Sequence, residues 1–159
     1  METMETIILK NLIQNEDYTR RVVPFLDEEY FKDRNERTVY TLIRDHIHKY
    51  NRSPNRDALI IALDDRGGMT EQSYKDTSII IKSITDTIDP VDNEWLMDQT
   101  EKFCKDKAVY NAILRSIEII DGKSKNETKN AIPNILSDAL SVSFDEQIGH
   151  DYISDADDR

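Results

Sequence analysis

Between Pro90 and Gly122 the chain contains neither proline nor glycine, and apolar residues return every seven positions: Leu96, Phe103, Tyr110 and Ile117. A strand would alternate in twos, so this spacing predicts one long helix over about 92–121. The companion positions Gln99, Asp106, Ile113 and Ile120 make the seam narrow at first and wide after Phe103. Val109, Leu114 and Ile119 widen it further. A helix that is apolar on more than one side must bury more than one side. One side can meet the core of its own domain; the other needs a second helix or another chain.

The remaining segments also read as helices. Gly122 ends the long element, residues 123–130 form a polar loop, and a last helix starts near Pro133 with Ile132, Ile135, Leu136, Ala139 and Leu140 apolar. These two helices make a long antiparallel hairpin. Upstream, Ile8, Leu9, Leu12 and Ile13 give one helical face. A second short helix covers Tyr18 to Leu26, with Pro24 cutting into it. Residues 34–50 form a clear helix, with Val39, Ile43, His46, Ile47 and Tyr50 on its inner face. Ser53 or Asn55 caps the next element, whose stripe is Ala58, Leu59, Ala62 and Leu63. Gly67-Gly68 stops it and Thr70 caps its successor, where the register Ile80, Ile84, Ile88 favours a helix over a strand. Asp89-Pro90 is a restart signal, with proline at the first helical position. Only four glycines and four prolines are present, too few for the turns of a β-sandwich. The expected fold class is all-α: a compact multi-helix domain ending in a long antiparallel helical hairpin.

Several function classes are disfavoured. The formal charge of −11 repels a phosphate backbone, so the chain is a poor stand-alone nucleic-acid binder. Its single cysteine, Cys104, excludes an internal disulfide and a zinc site built from several thiolates. No apolar run approaches the roughly 18 residues of a membrane span. No G-x-x-x-x-G-K-[ST] is present, so no phosphate-cradling loop of that kind exists here. His46 and His48 are two apart and point to different faces of a helix, unlike a metal-binding i, i+4 pair, and His150 lies in an acidic stretch. Asp64-Asp65 and Asp27-Glu28-Glu29 read as solvated helix ends rather than a catalytic pair, and Cys104 as a buried small side chain. Lys102, Lys105, Lys107 and Arg115 interleave with Glu101 and Asp106, which suits a salt-bridged helix face better than a DNA track. No catalytic, cofactor or metal residue is assigned.

In order and spacing, the segments resemble the N-terminal domain of DnaB-type replicative DNA helicases, in particular the primase-associated helicases of T-even-type phages. Glu5-Thr6-Ile7-Ile8-Leu9 with Leu12-Ile13 opens the match. Glu29-Tyr30-Phe31, Thr41-Leu42-Ile43, Pro54 with the Ala58–Leu63 stripe, and Trp95-Leu96 with Thr100-Glu101-Lys102 follow. The strongest block runs from Ala131-Ile132-Pro133 through Ala139-Leu140-Ser141 and Ser143-Phe144-Asp145 to Gly149-His150-Asp151.

The resemblance implies a collar domain of a hexameric, ATP-dependent helicase that unwinds DNA 5′→3′ in the cytoplasm of an infected bacterial host. ATP and Mg2+ would belong to a motor domain absent from this chain, as would most contact with DNA. Expected partners are other copies of the chain, primase and a helicase loader, with no membrane. Residues 1–3, which repeat as Met4-Glu5-Thr6, read as an artefact ahead of a natural start at Met4. Residues 4–144 read as the collar domain. Residues 145–159 read as the start of an acidic linker, with Asp145, Glu146, Asp151, Asp155, Asp157 and Asp158 against Arg159 alone. The hairpin supplies the candidate subunit interface: Tyr110, Ile113, Leu114, Ile117, Ile120, Ile132, Ile135, Leu136 and Leu140. The competing expectation is a free-standing acidic helical adaptor or a helicase-mimicking inhibitor, and a third is a small hydrolase using an acid pair.

Overall fold

A computed structural model describes residues 2–86, 90–125 and 127–144. Among these the chain is all-helical: α1 Met4–Gln14, α2 Glu16–Val22, α3 Arg34–Tyr50, α4 Arg56–Arg66, α5 Glu71–Asp86, α6 Asn93–Ile120 and α7 Ile132–Leu140. Short 3-10 turns occupy Val23–Phe25, Glu28–Tyr30 and Lys129–Ala131. The fold divides after Met97 into two compact units. The acidic stretch 145–159, His150, Ile88 and Asp89 lie outside the described residues.

The first unit is a helical core in which α3 and α5 share the largest contact, with α1 packed on both and α4 against the same pair. Ile8, Leu9 and Leu12 of α1, Val22 of α2, Val39 and Ile43 of α3, Leu59 and Leu63 of α4, and Ile81 and Ile84 of α5 are all buried. Phe31 enters this core from the loop before α3 and stacks on Tyr40, with ring centroids 4.9 Å apart.

Local chemistry sets the helix ends. Thr3 accepts from the Thr6 N–H and caps α1, so residues ahead of Met4 take part in the first helix. Asn15 ends α1 and starts α2, accepting from the Tyr18 N–H. The buried Thr19 hydroxyl lies within hydrogen-bond reach of the carbonyls of Asn11, Leu12 and Asn15, at the junction of α1 and α2. Asp33 caps α3, and Asn51 closes it in the left-handed region at φ 59°, where asparagine is among the few tolerated side chains. Asn55, not Ser53, caps α4 by accepting from the Ala58 N–H at 2.8 Å. Ser53 instead donates to the Leu12 carbonyl at 2.6 Å, tying the α3–α4 loop to the end of α1. Arg56 joins α4 to α5 through the Thr85 hydroxyl at 2.7 Å and the Lys82 carbonyl at 3.1 Å.

Four expectations shift. The helix placed over Tyr18 to Leu26 starts earlier, at Glu16, because Asn15 caps it, and becomes a 3-10 turn at Pro24, which cannot donate an N–H. On α3 the buried face is Val39, Tyr40, Leu42 and Ile43, while Tyr50 is 56% exposed, since the helix outruns the core it packs on. On α5 the buried register is Thr77, Ile81, Ile84, not Ile80, which is half-buried. Pro90 precedes α6 instead of opening it; Asp92 is the cap, accepting from the Trp95 N–H at 2.9 Å.

Phe31→Ala should destabilise the protein by about 3–5 kcal/mol, because the site is closed by the Tyr40 ring and cannot collapse. Asn55→Ala should cost about 1 kcal/mol. Urea unfolding followed by circular dichroism measures both.

Candidate interaction surface

The second unit is built on α6. Its far end closes with the Lys123 N–H on the Glu118 carbonyl at 2.9 Å and the Gly122 N–H on the Ile119 carbonyl at 3.1 Å. That closure needs a positive φ at Gly122, observed at 76°. The chain then returns antiparallel to α6, held at both ends. Near the turn, Arg115 Nε donates to Glu127 Oε1 at 3.0 Å, and a second guanidinium N–H donates to Oε2. At the other end, Glu101 accepts the Phe144 N–H at 2.8 Å and the Ser143 hydroxyl at 3.3 Å. The helix α7 lies between these ties.

Residues on an α-helix follow one another at about 100°, so faces can be read from spacing. In the outer half of α6, Ala112, Ser116 and Ile119 share one face and are buried, with the Ser116 hydroxyl returned to the Ala112 carbonyl at 2.8 Å. The opposite face carries Tyr110, Ile113, Leu114, Ile117 and Ile120. These five range from 43% exposed at Leu114 to 58% at Ile120. On α7, Ala139 is buried, Ile132, Ile135 and Leu136 are half-buried, and Leu140 is 64% exposed. The heptad thus changes role along the helix: Leu96 and Phe103 are buried, whereas Tyr110 and Ile117 are not. All nine candidate interface residues retain accessible surface, and six of them form the larger exposed set just described. A contiguous apolar face of this kind marks an interaction site more often than a solvated one.

Other residues singled out in the sequence take local roles. Asp27 caps the turn at Glu28–Tyr30, and Glu28 pairs with Arg44 at 3.3 Å. Asp64 accepts from the Tyr74 hydroxyl. Cys104 is buried, and burial pushes its thiol up to about 12, the charge of Glu101 adding to the effect. Lys107 sits over the Phe103 ring at 5.6 Å, so the basic stretch is partly absorbed by an aromatic face. Glu101, read as a partner for the neighbouring lysines, holds the returning chain instead. Among the described residues no group of three or more His, Cys, Asp or Glu is placed to hold a metal ion. Among them, too, no helix is long and apolar enough to cross a membrane.

One feature was not visible in the sequence. A groove of about 570 Å³ lies between α3 and α4, with Leu42, Ala58 and Ala62 inside and Tyr50 and Ile61 among its lining residues. His46 is in it, 4.7 Å from the Tyr50 ring, and burial holds its imidazole below the usual histidine range. Spacing alone places Tyr50 on one face with Val39 and Ile43; the signal for the groove is Ile61, which stands apart from the stripe of Ala58, Leu59, Ala62 and Leu63.

No protein-family model matches the chain. It is 35% identical, over 160 residues and 96% of its length, to the protein described as "DnaB-like replicative helicase" of Enterobacteria phage T4. This chain is a relative of a DnaB-like replicative helicase. It spans about a third of that helicase, 33% of its length.

The Arg115 hydrogen bond holds the Glu127 carboxyl below the usual carboxylate range. A depressed folded-state pKa adds stability above the unfolded value, about 4.3 for glutamate, and that stability is lost as pH falls through the folded value. Glu127 should therefore titrate below ordinary glutamates by carbon-detected NMR, and Arg115→Ala should return it to the ordinary range.

Proposed function

We propose that this chain is the N-terminal, subunit-pairing and partner-recruiting domain of a hexameric bacteriophage replicative DNA helicase. The observation that supports this best is the uncovered apolar face of α6, Tyr110 to Ile120, in a chain similar to a replicative helicase over 96% of its length. In the assembled protein, hairpins of neighbouring subunits cover each other there, with Ile132, Ile135, Leu136 and Leu140 of α7 at the margin. An α6 that is apolar on both sides gains burial only when a second copy arrives.

On this proposal the chain contributes no catalytic group. The parent protein hydrolyses ATP with Mg2+ in a separate motor domain, meets DNA mainly through it, and unwinds the replication fork 5′→3′. Primase and a helicase loader dock on the collar built by copies of this domain. The setting is the cytoplasm of the infected bacterial host. The net charge of −11 suits this division, since an acidic collar does not compete with the motor for DNA.

Ile113 and Ile117 are 47% and 48% exposed, so a charge at either position should leave the fold intact. Size-exclusion chromatography with light scattering should find dimers or larger species of the wild-type chain at high concentration. It should find monomers of Ile113→Glu and Ile117→Glu, with unchanged circular dichroism. A wild-type chain that stays monomeric at the highest attainable concentration contradicts the pairing.

A further inference from the structure

Leaving α7, the chain has little to hold it. Leu140 and Ser141 are exposed, Val142 and Ser143 are half-buried, and no side chain between Ala139 and Phe144 is buried. The Ser141 and Val142 N–H groups still bond back to α7, to Ser137, Asp138 and Ala139. At Phe144 the situation changes. Its side chain is 4% exposed, and its N–H meets Glu101 Oε2 at 2.8 Å. The same oxygen takes the Ser143 hydroxyl at 3.3 Å. One carboxylate oxygen on α6 thus gathers two donors that lie 42 and 43 residues away in sequence.

We propose that Glu101 is a clip that fixes where, and along which line, the chain leaves the helical hairpin. Hydrogen bonds to an ionised acceptor are shorter and stronger than neutral ones, and a backbone N–H offers a direction that a side chain does not. Glu101 is half-buried, so solvent screens the bonds less than at an exposed site. Phe144 supplies the apolar anchor and Glu101 supplies its orientation. Glu101 is thus a positioning residue for Ser143 and Phe144, where the described chain leaves the hairpin. The proposal does not depend on self-association of the hairpin, because both partners belong to one copy.

Amide hydrogen exchange by NMR on the whole chain tests it. In Glu101→Ala the Phe144 amide should exchange at least about tenfold faster, the loss expected for charge-assisted bonds, while amides of α6 from Val109 to Ser116 keep their rates. Glu101→Gln, which retains shape and a weaker acceptor, should fall between wild type and Glu101→Ala and serves if the alanine variant folds poorly. A Phe144 amide that exchanges at the wild-type rate in both variants overturns the clip. Equal acceleration throughout α6 overturns it too, since Glu101 would then stabilise the hairpin in general.

Discussion

The rest of the structure depends on one constraint: α6 is apolar on two opposite faces, and the described residues cover only one of them. Ala112, Ser116 and Ile119 are buried while Tyr110, Ile113, Leu114, Ile117 and Ile120 face outward. Each of the branched side chains there is about half accessible and so forgoes on the order of 1 kcal/mol of burial. The first unit has no such debt in its own core, where Ile8, Leu9, Leu12, Phe31, Val39, Ile43, Leu59, Leu63 and Ile81 are nearly or wholly sequestered. The first unit leaves Tyr50, Ile61 and Ile79 exposed on separate helices, whereas five of the apolar side chains exposed in the second lie along α6 alone.

Polar contacts sharpen this difference. In the first unit, Ser53, Arg56 and Thr19 bind backbone carbonyls of neighbouring elements and fix how the helices meet. In the second unit, Arg115–Glu127 and Glu101–Phe144 define the two ends of the hairpin. The similarity to a phage replicative helicase gives that face a setting, since such enzymes work as assemblies on our proposal and the chain spans 33% of the T4 protein.

Much of this was legible in the amino-acid sequence, for identifiable reasons. The boundaries of α3, α6 and α7 followed from strong periodicity, and the starts of α4 and α5 and the end of α6 from the local punctuators Asn55, Thr70 and Gly122, whose chemistry acts within a few residues. That α6 carries apolar residues on more than one face also followed from the pattern. Which face its own unit covers did not follow. The covered face uses Ala112 and Ser116, small side chains that add little to a hydrophobic pattern, so the pattern points to the other side. Tyr50 and the α5 register were misplaced because a straight helix drifts against a repeat and because only the packed neighbours decide where burial stops. The α3–α4 groove and the Glu101 clip join residues distant in sequence, and no local signal carries them.

The central claim is that Ile113, Ile117 and Ile120 are buried by a second copy of the chain. An isotope-filtered NOE experiment on an equal mixture of methyl-labelled and unlabelled protein tests it directly. Our account predicts intermolecular NOEs from the methyl groups of these three isoleucines and none from Ile61 or Ile79, which are exposed elsewhere. Intermolecular NOEs confined to Ile61, in the α3–α4 groove, or the absence of any at concentrations where the protein is associated, would contradict it.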